Sequence, residues 1–506
     1  MIIKSIQNRF KKRLWLQRSA LFLALTITVS LIISGCSLSS TGQNSEAEDF
    51  DLTPPSSQQT PAESKTIQDL SSYLERLSAE DRFSGAVLLA KDGESIFEQA
   101  YGYADRDSNA AINLETKFNM ASVGKMFTAT AIMQLVQEGK LSLDDKLADL
   151  IPDYPNQDAA DKITVQQLLT HTSGLGDIFT DAYQKSDRSQ YQTLDSYLPL
   201  FVNEPLQFEP GEKYAYSNAG FIILGLIIEH VAGTDYYQYI NENIFEPAGM
   251  ADTGFYSESD NVANLALGYT NRVMTQGETD DGTRTVAPRL GIGTSAGGVY
   301  STAADMLRFS EALQNYKLID AERVALLFAG NGIASTEENG VRIVGHSGGN
   351  NGVSTNIDIY PDLGYTVIAL SNYDEGPKLF NERLRWQLTG NDIPQTMELS
   401  DSDLNVLEGQ YKTEAQSPGQ GKNVITTGPK GTASGQKPTT VTAAEGGLQV
   451  SLRGSVHHFV PVSPTEFYDY ADPRSRLTFN RDEAGQITGL SVSGGQIRET
   501  ALKLEK

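Results

Sequence analysis

A helix that is apolar on every side has to be enclosed by other layers, and this chain carries one. In FNMASVGKMFTATAIMQLVQEGK, Phe118 to Lys140, the stretch Val123–Val136 is apolar nearly all round and is stopped by Gly139, so it belongs in a core rather than on a surface. A second helix of this kind lies in FIILGLIIEHVAG, after a Pro210-Gly211 turn and a tyrosine-rich segment. Before the first helix, SGAVLLAKDGESIFEQAYG gives two apolar runs around Asp92-Gly93, a hairpin signal. After the second, RIVGHSGGNNGVSTNIDIYPDLGYTVIALSN gives strands broken by glycine-rich turns, then the helix pattern GPKLFNERLRWQL. Strands at both ends with helices between them predict an α+β fold: an antiparallel sheet built from both ends, flanked by helices, with a helical lobe inserted in the middle. Within that lobe Thr164 and Gln167 have capping-box spacing, and Thr302 reads as the cap of another helix.

At 506 residues the chain exceeds one core, and the texture divides it. Residues 65–391 carry the pattern just described. Residues 392–506 change to short strand-like runs such as LQVSLRG, HHFVPV and EFYDY, which predict an all-β barrel-like domain with a structureless Gly/Pro/Ser/Thr loop near 417–440. At the start, basic residues precede the apolar segment ALFLALTITVSLIISGC, which is too short for a comfortable membrane span and the right length for a secretory signal. It closes at Ile33-Ser34-Gly35-Cys36, which resembles a bacterial lipobox, and Cys36 is the only cysteine. The expectation is a signal peptide over 1–36, lipidation of Cys36, a flexible tether over 37–64, and residence on the outer face of a bacterial membrane. The net charge of −24 argues against a nucleic-acid partner.

The chemistry starts at Ser122 and Lys125, three residues apart at the head of the first buried helix. A helix puts such residues on one face, and burial would lower the lysine pKa towards a value useful for taking a proton. That arrangement fits a serine nucleophile with a lysine partner. Spacing alone is weak, since Ser434 and Lys437 also match it inside the Gly/Pro loop.

Other segments add context: ITVQQLLTHTSGL, FEPGEKYAYSNAGFIILG, IFEPAGMADT, GGVYSTAADMLRF and VGHSGG. With FNMASVGKMFTA, in this order, they resemble the serine β-lactamase and penicillin-binding-protein superfamily, especially its class C-like hydrolases and its D-aminopeptidase and esterase relatives. The resemblance spans about Ser64 to Gly390, and it implies the β-lactamase/transpeptidase-like fold and acyl transfer through a serine.

By that resemblance Ser122 is the nucleophile, with Lys125 and Tyr216 sharing the proton transfer. Asn218, from the Tyr216-Ser217-Asn218 motif, and His346 and Gly348, from His346-Ser347-Gly348, contact the substrate, and the amides of Ser122 and Gly349 form the oxyanion hole. Three other Tyr-x-Asn copies, at Tyr154, Tyr239 and Tyr269, read as packing or turn residues. His171 reads as a structural histidine. Most of the superfamily's β-lactamases carry lysine where this chain has His346, and a histidine is only partly charged at neutral pH. The expected substrates are therefore small amides or esters, in the order D-residue peptides from peptidoglycan-derived material, short-chain esters and β-lactams. A binding protein that acylates with little turnover is the rival reading. No cofactor and no metal are implied. The C-terminal domain resembles the lipocalin-like domains appended to some of these hydrolases.

Overall fold

A computed structural model describes residues 60–506 apart from 258–259, 272–282, 289–290, 414–437, 453–454, 495–498 and 504–506. Cys36, Ser434 and all but the last residues of the expected 417–440 loop lie outside the described residues.

The first element, α1 (Pro61–Ala79), begins inside the stretch expected to be tether. Thr60 caps it: its hydroxyl accepts from the Glu63 amide at 3.2 Å, and the Glu63 carboxylate accepts from the Thr60 amide at 2.8 Å. Thr60-Pro61-Ala62-Glu63 thus combines a capping box with proline at the first helical position, a local signal that outweighs the polar composition around it. Leu70, Tyr73, Leu74 and Leu77, at helical spacing, are buried.

The main sheet starts with a hairpin, β1 (Gly85–Lys91) and β2 (Glu94–Tyr101). Its turn residues Asp92 and Gly93 have φ of +50° and +86°, the left-handed pair whose twist matches the flanking strands. Four strands return near the end of the hydrolase-like region: β3 (Ala334–Glu338), β4 (Val341–Asn350), β5 (Val353–Tyr360) and β6 (Tyr365–Ser371). The order is β2-β1-β6-β5-β4-β3, every pair antiparallel, with Gly85 opposite Ser371 where the two ends meet. Everything between β2 and β3 is therefore the inserted lobe.

That lobe holds α2 (Lys125–Gln137), α3 (Asn218–Ala232) and α4 (Ala303–Gln314). The expected caps are present, with Thr164 Oγ1 accepting from the Gln167 amide at 3.2 Å and Thr302 Oγ1 from the Asp305 amide at 3.1 Å. Residues of α2 and α3 share one large core with one face of the sheet, including Val344, Ile357 and Leu370. The other face packs against α1 and α5 (Pro377–Leu388) through Val87, Leu89, Val367, Phe380 and Leu384.

The C-terminal region is a closed eight-stranded antiparallel barrel, β7 (Gly409–Thr413), β8 (Thr439–Ala444), β9 (Gly447–Leu452), β10 (Ser455–Pro461), β11 (Glu466–Asp469), β12 (Arg476–Arg481), β13 (Ile487–Ser493) and β14 (Glu499–Lys503). Closure is by Tyr411 opposite Lys503. Thr439 and Thr440, expected at the end of the loop, already pair in β8, where alternating Thr439 and Val441 are buried. Leu448, Val450, Phe459, Phe467, Leu477 and Leu490 are buried together, so side chains fill the barrel.

The barrel docks on α1 and α5, across the sheet from α2. Its anchor is Arg383, which is fully buried. This guanidinium donates twice to Asp69, at 2.8 and 2.6 Å, and once to the Tyr470 carbonyl at 2.6 Å, while lying against the Tyr73 and Tyr470 rings. A bidentate pair closed by a third acceptor leaves little of the buried charge unsatisfied.

Candidate active site

Ser122 lies in a 3₁₀ turn, Ala121–Gly124, and α2 proper begins only at Lys125, so the serine precedes the helix it was expected to open. The turn is tight because Ala121 takes φ +43°, a left-handed conformation that costs energy for a residue with a Cβ and persists where the surroundings impose it. The surroundings here are specific. Asn119 Oδ1 accepts from the Ala121 amide at 2.8 Å, and the Ala121 carbonyl accepts from the Gly298 amide at 3.1 Å. A Cβ on Gly297 would stand 2.2 Å from that same carbonyl. From the other side, a Cβ on Gly348 would stand 2.4 Å from the Met120 carbonyl and 2.5 Å from Thr355 Oγ1. Two glycine-bearing segments thus clasp the serine turn, and only glycine allows the approach.

Lys125 is fully buried, as an apolar helix dictates. Its ammonium donates to Asn218 Oδ1 at 2.7 Å, to the Ala296 carbonyl at 2.5 Å and to Ser122 Oγ at 3.4 Å. Burial pushes it down to about 7, with the Asp177 carboxylate pulling the other way. That shift brings the free-amine form into the neutral pH range, within reach of the serine hydroxyl. Such an amine can accept the hydroxyl proton.

Tyr216 covers the lysine, whose Nζ lies 4.9 Å from its ring centroid. Burial pushes its phenol up to about 12, opposed by the hydrogen bond of Ser122, so near neutral pH the tyrosine stays protonated and can donate, and Lys125 is the base available. His171 sits beneath: its ring is 4.3 Å from the Tyr216 ring, its Nδ1 accepts from the Ser217 amide at 3.2 Å, and its carbonyl accepts from the Ala215 amide at 2.9 Å. Burial, then the Lys125 charge, then His346 hold its imidazole at about 3. It is a neutral seat for the tyrosine, in keeping with the structural reading. Ser217 caps α3, its Oγ accepting from the Gly220 amide at 3.1 Å, which places Asn218 at the first helical position beside the lysine.

His346 stands on β4, half-buried, with Nδ1 2.6 Å from the Ser347 carbonyl. Desolvation, with the Lys125 charge second, holds its imidazole at about 4. Both causes disfavour the charged form, so less positive charge is expected here than residue type alone suggests. Gly349 lines the same cleft as Ser122, and the first atom a Cβ there would meet is 4.0 Å away. The packing constraint therefore falls on Gly348 and the open approach on Gly349.

The other Tyr-x-Asn copies are elsewhere: Tyr154 is buried in the core, the Tyr239 hydroxyl donates to Gln134 Oε1 at 3.3 Å, and the Tyr269 hydroxyl accepts from the Arg106 amide at 2.7 Å. Three features went unread in the sequence. Asp177 reaches Asn218, Gly297 and Gly298 shape the serine turn, and Ile178, Phe179, Tyr183 and Tyr197 form an apolar wall. The apolar wall and the Gly297-Gly298 turn border the cleft, and none of its described lining residues is charged. Only Gly297-Gly298 carried a signal, a glycine pair before a strand-like Val-Tyr-Ser.

A sheet assembled from both ends, a helical lobe, and a serine–lysine pair at the head of its buried helix define a class of α+β serine hydrolases. The Beta-lactamase family matches residues 70–390, and the chain belongs to it. Penicillin-binding protein 4* of Bacillus subtilis is 32% identical over 330 residues, 60% of this chain and 72% of that protein. The crystal structure of a penicillin binding protein from Bacillus halodurans superposes with a TM-score of 0.56 at 32% identity, covering 62% of this chain and 99% of that one. A D-amino acid amidase from Ochrobactrum anthropi SV3, in complex with D-phenylalanine, gives 0.51 at 25% identity over 62% of this chain and 92% of that one.

Proposed function

We propose that the protein is an acyl-transferring serine hydrolase acting on uncharged amides or esters, with D-configured peptide-like amides first among them. The observation that carries this reading is Lys125 Nζ, buried, held near neutrality and 3.4 Å from Ser122 Oγ at the edge of a cleft without charged lining among the described residues. Ser122 Oγ attacks the substrate carbonyl and its proton passes to Lys125, with Tyr216 bridging. The amides of Ser122 and Gly349 receive the oxyanion. Collapse expels the amine or alcohol, which takes the proton, and water then hydrolyses the acyl-enzyme by the same route.

The substrate class rests on charge. A carboxylate beside the scissile bond would find neutral His346 where a cation would serve it, so carboxylate-bearing substrates are disfavoured, β-lactams among them. The similarity to a D-amino acid amidase supports amides over esters. Initial rates for D-amino-acid amides, neutral esters and a cephalosporin test the order: the reading requires the amides and esters to turn over faster than the cephalosporin, and the reverse order overturns it. Retention of a penicillin label with no turnover of any substrate would select the binding-protein alternative.

We propose further that Cys36 carries a diacylglyceryl group that holds the enzyme on the outer face of a bacterial membrane. The lipobox-like Ile33-Ser34-Gly35-Cys36 supports it. A Cys36→Ala chain that still partitions into detergent would overturn this.

A further inference from the structure

Asn218 has two ends, and only one of its two amide orientations suits a lysine donor. Its Oδ1 must face Lys125, because an ammonium has three donors and no acceptor. The same orientation is imposed from behind, by Asp177. The Asp177 carboxylate lies at the N-terminus of α3 and accepts from Asn218 Nδ2 at 3.2 Å (Oδ1) and 3.0 Å (Oδ2), and from the Asn218 backbone amide at 3.3 Å (Oδ2). A carboxylate only accepts, so it captures the NH₂ end and turns the oxygen towards the lysine.

Asp177 is itself fixed. Its Oδ1 accepts from the Phe179 amide at 3.1 Å, and the neighbouring Gly176 carbonyl accepts from Ser217 Oγ, the helix cap, at 2.6 Å. The segment Gly176–Phe179 is thus strapped to the first turn of α3, where a negative charge is favoured by the helix dipole.

We propose that Asp177 is a positioning residue of the acyl-transfer site, acting through Asn218 to hold the Lys125 ammonium against Ser122. This rests on the hydrolase reading above. Asp177 touches neither serine nor lysine in the described geometry; its effect passes through the Asn218 amide and through its charge. The groups facing Lys125 are Ser122 in the turn before α2, Asn218 on α3, Tyr216 before α3, the Ala296 carbonyl, and, at longer range, His346 on β4 and His171, whose imidazoles burial pushes down. Among the described residues, Asp177 is the one negative charge acting on it.

The sign follows. Asp177 favours the protonated lysine, so removing its charge moves the Lys125 titration to lower pH. With Lys125 at about 7, extra free amine can raise the rate at pH 7 by at most about twofold. Loss of position costs far more, up to about 100-fold for a displacement on the scale of 1 Å. Position should win.

The test is the rate of Ser122 phosphonylation by a fluorophosphonate, in which the serine oxygen bonds to phosphorus and fluoride leaves, from pH 5 to 9, for wild type, Asp177→Asn and Asp177→Glu, with crystal structures of wild type and Asp177→Asn. Asp177→Asn is expected to react roughly 10- to 100-fold more slowly at pH 7, with its acid limb displaced to lower pH, and to show Asn218 turned from Lys125. Asp177→Glu keeps the charge and should hold the limb near its wild-type position. A uniform loss with an unmoved limb assigns Asp177 a merely structural role and overturns the proposal. So does an Asn218 that still meets Lys125 in Asp177→Asn, whatever the rates. If wild type is not labelled at Ser122, the hydrolase reading fails separately, and the Asn218 geometry in the two crystals still decides the clamp.

Discussion

Replacing His346 with lysine should open the site to carboxylates. With the imidazole held at about 4, one ring in roughly 1,000 is charged at pH 7 and only about 3% at pH 5.5. A lysine there starts from an ordinary pKa about four units above that of histidine, so under the same burial it carries far more of the charge at both values, and a charge-assisted hydrogen bond to a carboxylate contributes about 1.5–3 kcal/mol, or on the order of 10- to 150-fold. The same ammonium approaches Lys125, whose charge already reaches His346, so the two repel and Lys125 moves to lower pH. The assay is kcat/KM for a cephalosporin and a neutral ester, wild type against His346→Lys, at pH 5.5 and 8. The cephalosporin should gain on the ester by roughly tenfold or more, and by similar factors at both pH values, because the wild-type imidazole is neutral at each. A gain confined to pH 8 would mean that the wild-type imidazole is charged at 5.5. Equal responses of both substrates would refute the placement of His346 opposite a substrate carboxylate.

Lys125→Met should abolish turnover and reverse a pH dependence of stability. The lysine titrates at about 7 when folded and near 10.4 when unfolded, so between these values the unfolded chain binds the extra proton and wild type should gain stability relative to the variant as pH rises. Thermal melts of both from pH 6.5 to 10 measure it, and parallel curves would contradict the buried-amine account. Gly348→Ala must push its Cβ out of a 2.4 Å contact with the Met120 carbonyl, so it should cost about 1–3 kcal/mol and displace the serine turn, with a large loss of kcat. Gly349→Ala, with 4.0 Å of room, should keep its melting temperature, and equal melting behaviour of the two would refute the clasp.

The sheet and the buried helices were legible because apolar patterning is local. Asp92-Gly93, Thr164 and Thr302 marked turns and caps by chemistry that acts within three or four residues. The start of α1 was legible too, in Thr60 and Glu63, but was submerged in a polar stretch whose composition argues for disorder. Ser122, Lys125, Tyr216 and Asn218 were found through motif order and are brought together by α2 and α3. What no local pattern reveals is convergence across the chain. Asp177 meets Asn218 from 41 positions away, and Ala296 meets Lys125 from 171. The neutrality of His346 was hidden for the same reason, since it depends on desolvation and on a charge more than 200 positions distant, not on residue type.

The central claim is that Lys125 activates Ser122 for acyl transfer. Its most direct test is intact-protein mass spectrometry of fluorophosphonate labelling across pH 5 to 9, for wild type, Ser122→Ala and Lys125→Met. The account predicts a single adduct on Ser122 whose rate of formation rises with pH through about 7, and no adduct in either variant. Equal labelling of wild type and Ser122→Ala, or a wild-type rate that does not change around pH 7, would contradict it.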